Sequence, residues 1–296
     1  MTNPYAITCC STADLPESYL AERGIPYACF HFRMNGMEYD DDLGKSIPIE
    51  DFYENIRQGA MPATSQVNPE QYEAMFEPLL KEGKDIIHLT LSSGISGAYN
   101  SAVIARDDMM ERYPARRIAV IDSLCASAGY GLLLDTAWER MKAGTGYEEL
   151  VAWIEGNKNR VHHWFFTSDL THLRRGGRIS ASAAFFGSML NICPLMNVNS
   201  EGKLIPREKF RGKKKVIREM VERMKEHACG GTEYAGKSFL SQSSCREDAE
   251  AVARLTEETF PNLDGSVYIV DIGTVIGAHT GPGTVCLTFW GDEREV

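Results

Sequence analysis

The chain alternates short apolar runs with amphipathic stretches. Tyr5 to Cys9 is the first apolar run. Ser11-Thr12-Ala13-Asp14-Leu15-Pro16 follows and reads as a turn into a short helix, with Ser11 or Thr12 as its cap. Ile25 to Phe32 is a second strand candidate, and Ile47 to Ile56 reads as a short helix. Asn68-Pro69-Glu70-Gln71 opens the best-marked helix: Asn68 can cap, Pro69 suits the first helical position, and an acid sits in the first turn. Tyr72, Met75, Phe76, Leu79 and Leu80 then recur on one face until Gly83. Ile86 to Leu91 reads as a buried strand, Ser92 to Gly97 as a small-residue turn, and a helix follows to about Met110. Arg117 to Ile121 is another strand, leading to a helix near 126–142. Strand–turn–helix units in series predict a parallel sheet with helices on both faces.

The second half is patterned differently. His162 to Thr167, Phe239 to Gln242, Ser266 to Asp271 and Val285 to Trp290 read as strands, with a helix near 246–259. Arg211 to His227 reads as a helix burying Val216, Ile217, Met220, Val221 and Met224. Strands mixed with a few helices predict a smaller α+β unit. The expected boundary lies near residue 160, at Gly156-Asn157-Lys158-Asn159. It separates a Rossmann-like α/β unit, 1–160, from an α+β unit, 161–296.

Composition narrows the class. The 296 residues are 43% hydrophobic and 24% charged, an ordinary globular balance. No run approaches the ~18 uninterrupted apolar residues of a membrane span, so no integral membrane association is expected. The first residues show no secretory signal. The eight cysteines, Cys9, Cys10, Cys29, Cys125, Cys193, Cys229, Cys245 and Cys286, have neither zinc-site spacing nor disulfide density. Reduced thiols in a cytoplasmic protein without a metal are the expectation. A net charge of -10 argues against nucleic acid as a partner. Residues 174–215 stand apart, with ten basic residues against only Glu201 and Glu208.

Candidate chemistry sits in four places. Leu91-Ser92-Ser93-Gly94-Ile95-Ser96-Gly97 runs from a buried strand into a helix, where free N–H groups and the Ser93 hydroxyl suit an oxyanion or carboxylate. It is neither a Walker loop nor G-x-G-x-x-G, and a capped turn packed with small residues fits the pattern equally well. Thr64 and Ser65, in a loop before the Asn68 cap, can turn hydroxyls toward the same anion. Arg174-Arg175-Gly176-Gly177-Arg178 flanks a Gly-Gly turn with groups suited to phosphate or carboxylate. Ala278-His279-Thr280-Gly281-Pro282-Gly283 is a Gly/Pro turn around a histidine. Ala183 to Leu195 is apolar and reads as a core helix or a ligand wall.

Seven stretches in order resemble the DegV family of bacterial fatty-acid-binding proteins, which includes the FakB-type subunits of fatty acid kinase. They are Ser11 to Pro16, Thr64 to Gln66, Ser92 to Gly97, Ile121 to Ser123, Leu173 to Ser180, Gly187 to Pro194 and His279 to Gly283. The resemblance implies a two-domain DegV-like fold. Its N-terminal part is a three-layer α/β/α unit on a parallel sheet, carrying the head-group loops. Its C-terminal part is a two-layer α+β unit with a mixed or antiparallel sheet, binding the lipid tail. It implies a non-catalytic protein that binds a long-chain fatty acid such as palmitate, stearate or oleate, with no cofactor. The carboxylate would be held by Thr64 and Ser93, with Ser65, Gly94 and His279 beside them, and the tail by Phe185, Phe186, Met189, Leu190 and Ile192. A basic face at Arg174, Arg178 and Arg211 would meet a FakA-type fatty acid kinase that converts the bound acid to an acyl phosphate. The sequence departs from the family at Cys10, where an acid is usual, and at Val67, Asn68 and Ala98.

Two other readings fit the residues. One is a serine-dependent acyl hydrolase using Ser93 and His279, although the nucleophile-elbow pattern G-x-S-x-G is absent. The other is a binder of a soluble phosphorylated metabolite through the arginine block.

Overall fold

The computed structural model describes residues 5–179 and 192–296. Its centre is a parallel sheet of β1 (Tyr5–Cys10), β2 (Tyr27–Ala28), β6 (Asp85–Thr90) and β7 (Ile118–Asp122), in the order β2-β1-β6-β7. Every residue of β6 is buried, as expected of a strand covered on both faces. Helices Pro69–Lys81 and Ala98–Arg112 pack together over β6 and β7. The first has the expected capping box: Asn68 accepts from the Gln71 N–H, and the Gln71 side chain accepts from the Asn68 N–H. Tyr72, Phe76 and Leu80 are buried on its inner face, while Met75 and Leu79 are half-buried.

A mixed sheet forms after residue 160. Its order is β10 (Leu204–Arg211), β9 (Ile192–Val198), β8 (Val161–Phe166), β13 (Val285–Trp290), β11 (Phe239–Gln242) and β12 (Tyr268–Asp271). All neighbours are antiparallel except β11 and β12, which the helix Arg246–Thr259 joins as a crossover. That helix and Lys213–His227 cover one face, the latter burying Val216, Ile217, Met220, Val221 and Met224 as its period predicts. The other face is covered by Ser127–Lys142, a helix from the first half of the chain. Ser127 to Asp135 are buried without a break, because this helix also reaches the parallel sheet: the Tyr130 hydroxyl donates to Leu89 O and accepts from Cys10 N–H at 2.9 Å. The architecture is mixed α/β, with one helix serving two sheets.

Several expectations give way to non-local pairing. Ile25 to Phe32 is not one strand. β2 joins the parallel sheet, and His31–Met34 (β3) joins a small antiparallel sheet with Met37–Asp40 (β4) and Ala63–Ser65 (β5). Thr64 therefore lies in a strand rather than a loop. Ser11 to Ala13 is a single 3-10 turn closed by Asp14 in the left-handed region (φ 53°); the following helix, Glu17–Arg23, has Pro16 at its cap, not Ser11 or Thr12. His279 sits in the last turn of a short helix, Thr274–Thr280, packed on β3, β5 and the helix Ile49–Arg57. Ile192 to Leu195 begin β9 instead of ending a helix. Phe185, Phe186, Met189 and Leu190 lie outside the described residues. Among the described residues no helix is long and apolar enough to cross a membrane.

Candidate functional site

A cavity of about 190 Å³ lies between the two sheets. Phe30, Leu91, Ile95, Phe165, Leu173, Val198, Ile272, Val275 and Ile276 give it a largely apolar wall. Polar groups break that wall at Thr64, Ser65 and Gln66, at Ser96, at Arg178 and His279, and at Ser127, Ser241, Thr280 and Thr284. An apolar hollow with a few placed polar groups is the usual form of a small-molecule site.

Thr64 and His279 meet although 215 residues separate them. Thr64 Oγ1 lies 2.8 Å from His279 Nε2, and His279 Nδ1 is buried with no partner among the described residues. If Nδ1 carries the proton, Thr64 donates to Nε2 and the Nδ1–H is unspent; if Nε2 carries it, the Thr64 hydroxyl proton is unspent. In both tautomers the pair keeps one spare donor. Burial, with Arg178 and then Arg175 nearby, pushes His279 down to about 4, so it is neutral at pH 7. Positive charge comes instead from the half-buried Arg178, whose Nε donates to Ile95 O at 3.2 Å. Gly176 makes the arrangement possible. A Cβ there would stand 2.2 Å from His279 Nδ1.

The Ser92–Gly97 loop reaches the cavity by a different residue from the expected one. Ser92 is buried and donates to Gly202 O at 2.9 Å. Gly94 lies against the β9–β10 turn, where a Cβ would come within 2.6 Å of Glu201 O. The close contact sets the loop's rotation, so Ser93 is exposed, its N–H bonded to the Asp122 carboxylate at 3.0 Å, while Ile95 and Ser96 line the cavity. Ser93 and Gly94 are therefore not in the cavity wall; Gly94 borders an adjoining groove with Gly177, Arg178 and Lys203. The hydrolase pairing is not assembled, because His279 Nε2 is bonded to Thr64, not Ser93, and Nδ1 has no partner among the described residues. Arg174 and Arg211 are exposed and outside the wall, and Ile192, though half-buried, does not line it.

A second polar cluster has no motif along the chain. Asp14 Oδ2 accepts from Ser127 Oγ at 2.5 Å, and Ser127 Oγ lies 2.9 Å from Ser241 Oγ. Asp41 accepts from the Thr274 hydroxyl at 2.6 Å and its N–H at 3.2 Å. Gly273 separates the two acids; a Cβ there would lie 2.6 Å from Asp14 Oδ1 and 3.3 Å from Asp41 Oδ1. Burial pushes Asp14 well above the ordinary carboxylate range, and Asp41 adds to the rise.

Comparison with known proteins fits this geometry. The family model described as "Uncharacterised protein, DegV family" matches residues 4–291. A DegV domain-containing protein of Clostridium perfringens is 39% identical over 285 residues, covering 96% of this chain and 97% of the relative. Among solved structures, a fatty-acid-binding DegV family protein from Thermus thermophilus superposes with a TM-score of 0.86 at 26% identity, covering 97% and 99% of the two chains. The fatty acid kinase (Fak) B3 protein of Streptococcus pneumoniae, solved loaded with linoleic acid, shares the fold with a TM-score of 0.84 at 21% identity, covering 99% and 100%. With the family match running almost end to end and a full-length relative at 39% identity, this chain belongs to the DegV family.

Proposed function

We propose that this protein binds a long-chain fatty acid, such as palmitate, stearate or oleate, in the cavity between its sheets and takes no part in bond-making itself. The carrying observation is the spare hydrogen-bond donor of the Thr64–His279 pair at the edge of an apolar hollow. Thr64 and His279 hold the carboxylate, Arg178 supplies the charge, and Ser96, with Ser65 at the rim, adds a hydroxyl in place of Ser93. A fatty-acid-binding DegV protein and a Fak B3 protein loaded with linoleic acid, both of this fold, support this reading.

The energetics favour a division of labour. Burying the ~14 methylenes of a C16 chain at ~0.8 kcal/mol each contributes about 11 kcal/mol before association costs. Each hydrogen bond to the carboxylate contributes about 1.5–3 kcal/mol, which mostly offsets its desolvation. The tail sets affinity and the head fixes register.

The finer part of the proposal is presentation to a FakA-type kinase, which would make the acyl phosphate. Arg178 borders both the cavity and the outer groove, and the exposed Arg174 and Arg211 extend the basic surface. Eight unpaired cysteines suit a reducing, cytoplasmic setting.

Native mass spectrometry of the purified protein tests the binding reading: a co-purifying mass of a C14–C18 fatty acid is expected (about the chain length at which methylene burial dominates). A phosphate ester, or an empty protein that refuses added oleate, refutes it. Thr64→Val is expected to weaken fatty-acid binding about tenfold, read by calorimetry, with the fold unchanged by circular dichroism.

A further inference from the structure

Away from the cavity, three donors from separate segments converge where the last strand ends. His162 lies on β8, His227 closes the helix Lys213–His227, and Asp292 follows β13. His162 Nε2 is 2.9 Å and His227 Nδ1 3.2 Å from Asp292 Oδ1, and one ligand atom from each residue falls within 4.8 Å of the others. A tetrahedral ion with bonds of ~2.0–2.1 Å holds its ligand atoms about 3.3 Å apart. Both nitrogens already stand near that spacing from the Asp292 carboxylate oxygen.

The surroundings hold the rings in place. His162 is stacked between Phe289 (centroids 5.3 Å apart, planes within 7°) and His227 (4.9 Å, 21°), and His227 stacks in turn on Trp164. Asp292 is brought in by its own backbone, which donates to His227 O at 3.0 Å. Gly291 permits the approach: a Cβ there would lie 2.4 Å from His227 O and 2.7 Å from His162 Cδ2. The His227 end of its helix carries the negative pole of the macrodipole, which favours a cation. Two imidazoles and one carboxylate are a donor set for zinc and its neighbours, not for magnesium or calcium.

We propose that His162, His227 and Asp292 bind one divalent transition-metal ion of the zinc class, with water completing the coordination on the exposed Asp292 side. The ion would tie β8, a helix terminus and the C-terminal segment together. That segment is otherwise held by the buried Arg294, which bonds Asn159 Oδ1 at 3.1 Å, and by Glu295 O, which accepts from Ser200 N–H at 2.9 Å.

The test uses full-length protein dialysed against a chelator, then titrated with zinc chloride by calorimetry and with cobalt(II) by visible absorption. Saturation at one ion per chain is expected, with a rise in Tm on zinc addition and no response to magnesium. Asp292→Asn and His227→Gln, both at partly exposed positions, are each expected to weaken zinc at least about tenfold and to lose the Tm shift and the cobalt band. Cys229→Ser, at the nearby exposed thiol, should leave all three intact. Absence of saturable binding overturns the proposal. So does binding that survives in Asp292→Asn and His227→Gln, or that is lost in Cys229→Ser.

Discussion

Two polar regions border the same cavity, and they answer protons in opposite ways. At the cavity wall, His279 is pushed down to about 4 because burial and two arginines disfavour its charged form. In the corner behind Ser127, Asp14 is pushed up because burial and Asp41 disfavour its charged form. The folded state thus favours a neutral imidazole at one place and a protonated carboxyl at the other. For His279 the stability contribution is full above an unfolded pKa of ~6.5 and is lost as pH falls toward about 4. For Asp14 it is full below an unfolded pKa of ~3.9 and is lost as pH rises through the folded value. Among the described residues the Thr64–His279 pair keeps a donor unspent, whereas the Ser127 and Thr274 hydroxyls are spent on protein carboxylates. On the proposed function, the first region is completed by a guest and the second holds the frame.

The largest expected effect tests the frame. Asp14→Leu puts a bulky side chain in the left-handed region and strips Ser127 of its acceptor. It should cost about 3 kcal/mol in urea unfolding, with fatty-acid affinity of the folded fraction little changed. A loss below ~1 kcal/mol would erase the distinction between corner and wall. Gly176→Ala tests the wall: its Cβ would displace the His279 ring, and fatty-acid affinity should fall by about tenfold to a hundredfold, the equivalent of roughly 1–3 kcal/mol of overpacking. The pH contrast comes next. His279→Gln should flatten the loss of stability as pH falls from 7 to 5, by about 1 kcal/mol, and Asp14→Asn should flatten the loss that sets in as pH rises above ~4. Denaturation midpoints across that range check both signs, and a parallel response of the two variants would refute the contrast. The smallest effect is that of Ser241→Ala, about 1 kcal/mol of stability with affinity retained. If affinity moves instead, the Ser241 hydroxyl at the cavity wall contacts the guest and the two regions act as one.

Local chemistry was legible in the sequence; pairing at a distance was not. The Asn68 cap and the Val216 to Met224 face follow from residues within a few turns of one another, and the structure reproduces them. β5 has three residues, and only its partner β3 makes it a strand, so Thr64 looked like a loop residue. The Ser92–Gly97 turn was found, but its rotation is fixed by Gly94 against Glu201 and Gly202, over a hundred residues away. That contact chooses Ser96 over Ser93, and no spacing rule within the loop contains it. Thr64 and His279 were joined only through family resemblance, because nothing local relates residues 215 apart. Asp14, Ser127 and Ser241 share no motif and meet solely through the fold.

The helix Ser127–Lys142 is wedged between both sheets and bonded to each neighbourhood, to Leu89 O of the parallel sheet through Tyr130 and to Ser241 of the mixed sheet through Ser127. A clamshell opening would have to tear that rod from one of its two beds. On the proposed function, a fatty acid would then exchange by small displacements at the rim, and a covalent staple fastening the two beds together should leave the rates of loading and unloading almost untouched.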